Sequence, residues 1–134
     1  MSYVYHQAEE LKGKPKVGNG DCVAHVRAYA PGLKELSTAS WTDGPTVLRN
    51  HGIVRGTAIA TFVDGSYPNK STGNHACFYV GQAGDAVYVI EQFKSDDPNF
   101  NVVTRRRIQS KGKRKDGSFI DPSNNADAFS VIEL

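Results

Sequence analysis

Past Gly56 the chain is a succession of strand signals separated by turns, and this limits the fold more than any other feature. Residues 57–62 are rich in β-branched and aromatic side chains. A polar loop, 64–73, carries Gly65, Pro68 and Gly73. Residues 75–81 read as a second strand and 87–93 as a third, joined by a turn at 82–86. The Asp96-Asp97-Pro98-Asn99 break precedes a fourth strand at 102–108, and 128–134 form the last. Between them, 111–117 form a basic turn. Strands linked by connections this short pair antiparallel, which predicts an α+β domain with an antiparallel sheet.

The first part of the chain reads differently. Residues 3–11 are expected to form a helix with Val4, Ala8 and Leu11 on one side, ended by the segment holding Gly13 and Pro15. Gly18-Asn19-Gly20-Asp21-Cys22 then forms a tight turn that enters a helix running to about Ala30, where Pro31-Gly32 stops it. Asp21 suits the N-cap, and Val23, Val26 and Ala30 form the apolar side. Residues 31–56 read as a long loop with a short helix at 45–50, and Trp41 lies in it.

Composition removes several classes of function. A chain of 134 residues with 39% apolar content suits one domain, 1–134, without internal repeats. The 16 basic and 14 acidic residues leave a net charge of +2, which does not point to nucleic acid and mildly favours an anionic substrate or surface. No apolar run approaches the roughly 18 residues of a membrane span. Residues 1–7 lack the basic start and apolar core of a secretory signal, so any action outside the cytoplasm is expected to use another route. Two cysteines make no disulfide framework.

The chemistry-bearing residues fall at element ends. Cys22 sits in the first helical turn, where the backbone amides and the helix dipole favour an anion. His75 starts the second strand, and Glu91-Gln92 lie toward the end of the third. A hairpin around 82–86 brings His75 beside that pair. A thiol, an imidazole and a polar third group are the parts of a nucleophile system: the ring takes the thiol proton and the third group fixes the ring. Amides at the Asp21-Cys22 turn can bind an oxyanion. Glu91 and Gln92 point to opposite faces, so one of them meets the ring. Glu91 is preferred, because Val87 and Val89 precede it in regular alternation.

Each assignment has a plainer rival. A cysteine in a small domain is often a buried hydrophobe, and a strand-start histidine is often a surface residue. His25 shares the helix with Cys22 but is carried away from the sheet end, and His6 and His51 have no supporting context. Trp41 suits a substrate cleft as well as a core or lid. Residues 105–107 and 111–115 read as a solvated edge and turn, with an anionic polymer as the rival partner. Cys77 lies two residues from His75 on the same strand face, a little deeper. It suits a buried thiol under the site, a regulatory disulfide with Cys22, or a zinc site with Cys22, His75 and Glu91. The spacing lacks the paired ligands that zinc favours.

Gly20-Asp21-Cys22 at a helix start, Gly56 to Phe62, Asn74-His75-Ala76-Cys77-Phe78-Tyr79-Val80-Gly81 and Val89-Ile90-Glu91-Gln92 resemble the papain-like NlpC/P60 and CHAP cysteine peptidases. The compact size resembles the small amidase effectors of type VI secretion within that class. The resemblance implies an N-terminal helix carrying the cysteine, packed on an antiparallel sheet. It implies hydrolysis of an amide bond in the peptidoglycan stem peptide or cross-link by Cys22 as nucleophile, His75 as base and Glu91 as orienter. Asp21, Asn74, Trp41 and Gln92 are then expected at the substrate, with no metal and no cofactor. The implied partners are peptidoglycan and a cognate immunity protein, without nucleic acid or membrane insertion. The implied place of action is the periplasm of target bacteria, reached by secretion. The alternative is a non-catalytic binding or immunity-type module that docks an acidic partner through the basic turn.

Overall fold

The strand-rich half of the chain supplies five strands of a six-stranded, wholly antiparallel sheet, and the segment before Gly56 supplies the sixth. The structure is a computed structural model and describes residues 2–134; Met1, part of the N-terminal segment read above for a leader, lies outside them. The strands are β1 (Thr42–Thr46), β2 (Ala58–Thr61), β3 (Ala76–Ala83), β4 (Ala86–Glu91), β5 (Thr104–Gln109) and β6 (Phe129–Glu133). Their order across the sheet is β1-β6-β2-β3-β4-β5. The last strand is therefore inserted between the first two, which no local signal in the sequence announces. One α-helix, α1 (Cys22–Tyr29), packs against β3.

Period-two alternation sorts the strand side chains onto two buried faces. Phe78, Val80, Ile90 and Ile132 face α1 and meet its Val26, together with Leu11, Leu33 and Trp41. Ile59, Cys77, Val89, Ile108, Phe129 and Val131 face the other way, where Val47, Leu48, Ile53 and Ala126 cover them. Gln82 fastens that cover: its side-chain oxygen accepts from the Arg49 amide at 2.7 Å, and its nitrogen donates to the Val47 and Asn50 carbonyls. With both faces covered, the sheet's ends are where side chains can meet solvent and substrate.

The first part of the chain departs from expectation twice. Residues 3–11 hold only a 3-10 turn, Ala8–Leu11; Val4 instead bridges to Thr57, extending the sheet side of the chain. Gly56 permits this close approach. It adopts φ +93°, and a Cβ there would strike the Tyr5 carbonyl. The segment 31–56 contains β1 rather than a helix at 45–50. Gly44 and Pro45 are tolerated because β1 is an edge strand, where a missing N–H faces no partner. Trp41 enters the core just before it, 1% exposed.

Candidate active site

The turn that carries Cys22 is built by local rules and held by one long-range side chain. Asp21 is extended and caps α1, its carboxylate accepting from the Ala24 amide at 2.8 Å. Its own amide donates to Asn19 at 3.1 Å. Gly18 has φ +59°, and a Cβ there would crowd the Ala24 side chain at 3.0 Å, so glycine suits this close approach of the turn to the helix. Gln92, 1% exposed, closes the loop from the sheet side. It accepts from the Val17 amide at 2.9 Å and donates to the Val17 and Asp21 carbonyls at 3.0 and 2.7 Å. Cys22 therefore stands half-buried at the first position of α1, on a turn clamped at both ends.

Opposite it, His75 lies just ahead of β3 and Glu91 ends β4. Both are buried, and His75 Nε2 lies 2.7 Å from Glu91 Oε1. Nε2 being engaged, Nδ1 is the ring nitrogen left for a thiol. The alternation at the strand end sends the two neighbours apart: Glu91 reaches the His75 ring, while Gln92 turns to the loop before Cys22. Arg106 on β5 grips the far side of the carboxylate, Nε to Oε2 at 2.6 Å and Nη2 to Oε1 at 3.1 Å. Its remaining contacts go to Asn124 Oδ1 and the Ser123 carbonyl, at 2.7 and 3.0 Å.

The charges settle accordingly. Burial works to raise the Cys22 pKa, but hydrogen bonding to His75, the His75 charge, the Ala76 amide and Tyr67 together bring it below 9.0. Burial works to lower that of His75, but hydrogen bonds with Cys22, Cys77 and Glu91 carry it well above 6.5. Burial opposes the Glu91 charge, yet His75 and Arg106 hold its carboxyl below the ordinary range. Burial pushes the Cys77 thiol up, in the direction opposite to Cys22. The shifts favour a thiolate–imidazolium pair backed by a carboxylate.

A cleft of about 680 Å³ opens over this pair, with Asp21, Cys22, Tyr67, Asn74, His75 and Arg106 among its walls. Of the side chains expected at substrate, Asp21 and Asn74 line it. Asn74 is already committed: Lys70 N–H donates to its oxygen at 2.7 Å, and its nitrogen donates to Tyr67 Oη at 3.1 Å. Trp41 and Gln92 are buried away from the cleft wall. Trp41 lies beneath it, with its ring 5.1 Å from that of Tyr67. Cys77 is buried; neither it nor the half-buried Cys22 is in a disulfide, and among the described residues no group of three or more His, Cys, Asp and Glu is set to hold a metal.

Tyr67 and Arg106 belong to the site although sequence reasoning passed over them. Tyr67 Oη lies 3.9 Å from Cys22 Sγ, and because Asn74 donates to that oxygen the phenol proton is free to turn to the sulfur. Burial first, then the Cys22 charge, push its pKa far up, so it remains a donor. Nothing marks a tyrosine in a polar loop as special. Arg106 did leave a signal: it shares strand parity with buried Ile108, while Arg105 and Arg107 are exposed.

Comparison with known proteins adds an independent line. The family model described as domesticated amidase effector 2 (Dae2) matches residues 3–132. The type VI secretion amidase effector 2 protein of Salmonella typhi is 39% identical over 136 residues, covering 99% of this chain and 100% of that protein. Domesticated amidase effector 2 of Ixodes scapularis is 34% identical over 119 residues, covering 88% of this chain and 74% of that protein. A solved structure of type 6 secretion amidase effector 2 (Tae2) superposes with a TM-score of 0.89 at 40% identity, covering 98% of this chain and 94% of the other.

Proposed function

The chain belongs to the domesticated amidase effector 2 family and is an amidase of the type VI effector kind, and from that premise we propose that Cys22 performs the hydrolysis on bacterial peptidoglycan. The observation that carries the mechanism is the meeting of Cys22, His75 and Glu91 under one open cleft. The family's activity favours this over a module that only binds through its basic turn.

In this reading the Cys22 thiolate attacks the carbonyl carbon of a stem-peptide or cross-link amide. The oxyanion that forms meets the Cys22 backbone N–H, at the unpaired start of α1, and the Tyr67 hydroxyl. The His75 imidazolium gives its proton to the amide nitrogen, the C–N bond breaks, and an amine leaves a thioester on Cys22. His75, now neutral, takes a proton from water, whose oxygen attacks the thioester. The C–S bond breaks, a carboxylic acid is released, and the thiolate–imidazolium pair is restored. Glu91 holds the ring throughout by its 2.7 Å contact. Asp21 and Asn74 act at substrate through the turn and the Tyr67 hydroxyl that they fix, whereas Trp41 and Gln92 act from beneath. No metal or cofactor enters the cycle.

Residues 1–134 serve here as one amidase domain of papain-like, NlpC/P60-type build: a helix bearing the cysteine on an antiparallel sheet bearing the histidine. Among the described residues no helix is long and apolar enough to cross a membrane. Delivery by type VI secretion places the enzyme in the periplasm of a target bacterium, and a cognate immunity protein would guard the producer by closing the Cys22 cleft. Purified peptidoglycan incubated with the protein, with products identified by mass, tests the reading. Peptide fragments with one new amine and one new carboxyl, absent with Cys22→Ala, are expected. Cleavage confined to the sugar chain, or full release by Cys22→Ala, overturns it.

A further inference from the structure

We propose that Arg106 is a positioning residue of this site: its guanidinium fork fixes both oxygens of the Glu91 carboxylate, and so sets the angle and charge with which Glu91 holds the His75 ring. The inference rests on the Cys22–His75–Glu91 reading above. Glu91 is fully buried, with side-chain exposure of 0%, and accepts from Arg106 at both oxygens, 2.6 and 3.1 Å. An isolated carboxylate at such depth would take a proton or turn toward water; a bidentate arginine prevents both. Only one of those oxygens also touches His75. The fork therefore determines which oxygen faces the ring. Arg106 is in turn tethered outside, to Asn124 Oδ1 and the Ser123 carbonyl, on the short turn Pro122–Asn124. The four hydrogen bonds that Arg106 donates go to protein atoms, so although it lines the cleft its guanidinium is mostly committed to the fold.

Arg106 also adds the fixed positive charge of the cluster. The titratable groups around it are Cys22 and His25 on α1, Tyr67 from the loop before β3, His75 and Cys77 at β3, Glu91 on β4, and Asp121 beside the turn that tethers Arg106. Removing a cation from a coupled, buried set raises the pH at which each of its protons leaves. Thiolate formation at Cys22 then requires higher pH. A residue that merely braced the fold would change the amount of active protein, not the pH at which its thiol ionises.

The test is the rate of Cys22 alkylation by iodoacetamide against pH, in the wild type, Arg106→Gln, Arg106→Lys and Asn124→Asp. Arg106→Gln is expected to move the thiolate limb up by about one pH unit, slowing alkylation about tenfold below the limb. Arg106→Lys keeps the charge and leaves the limb near its wild-type place, but lowers kcat with little change in KM because the fork is gone. Asn124→Asp, at an exposed position, sets a competing carboxylate on the guanidinium. It moves the limb in the same direction by less, and serves where Arg106→Gln fails to fold. Limbs of Arg106→Gln or, if that does not fold, Asn124→Asp that superpose on the wild type overturn the inference, as does a shift in Arg106→Lys equal to that in Arg106→Gln. A wild-type limb near 9, with no depressed thiol at all, would instead overturn the ion pair on which the inference stands.

Discussion

Two histidines of this molecule are buried to similar depth and have opposite chemistry. His25, on α1, is 0% exposed; His75, at the sheet end, is 5% exposed. His25 packs edge-on against Tyr29 and Phe78, at 5.5 and 5.4 Å between ring centres, and among the described residues neither of its nitrogens has a hydrogen-bond partner. Burial, reinforced by the nearby His75 charge, takes its pKa down to about 4. His75 has Glu91 on Nε2, with Cys22 and Cys77 at hydrogen-bonding reach, and its pKa rises despite burial. Depth alone makes a histidine a core ring. A fixed carboxylate and neighbouring thiols raise the ring's pKa instead, and the two outcomes lie within one small protein.

The sharpest way to break the comparison is to remove each ring in turn. His75→Ala should reduce turnover on peptidoglycan by roughly 10³-fold or more, since a nucleophile and its base act as a unit. His25→Leu, close in volume and a good helix former, should keep turnover within a few fold. Steady-state rates on soluble muropeptides, corrected for folded protein, give the answer. A folded His25→Leu that has lost activity, beside an active His75→Ala, would exchange the two roles.

A smaller effect sharpens the same contrast through stability. The His25 pKa is about 4 when folded, against 6.5 for a free ring, so between these values the unfolded chain binds more protons. Stability therefore rises with pH through this window; the contribution is complete above 6.5 and lost as pH falls toward 4. The loss is on the order of 3 kcal/mol. Urea unfolding at pH 7 and pH 4 should show His25→Leu losing less stability than the wild type by about that amount. Equal losses in both proteins would show that His25 is not a buried neutral ring.

Much of this was legible in the residues because it depends on short-range rules. Asp21 as N-cap, Cys22 in the first turn and the strands after Gly56 follow from capping and period-two patterns. The preference for Glu91 over Gln92 followed from strand parity, and Glu91 is the residue in contact with His75. What was hidden depends on pairing between distant segments. β6 enters between β1 and β2, and its partner β1 carries Gly44 and Pro45, which argue locally against a strand. Gln92 spans 75 residues to reach Val17, and Arg106 meets Glu91 across the β4–β5 ladder. Tyr67 reaches Cys22 from a loop whose shape Asn74 sets. Such contacts exist only once the sheet order is known, and no periodicity encodes that order.

The most direct test of the central claim is histidine NMR with labelled imidazole nitrogens, followed from pH 4 to pH 9 in the wild type and in Cys22→Ala. His75 should remain an imidazolium well above 6.5 in the wild type and lose much of that shift in Cys22→Ala, while His25 stays neutral down to about pH 4 in both. Two rings titrating together near 6.5, unchanged by the loss of the Cys22 thiol, would contradict the account.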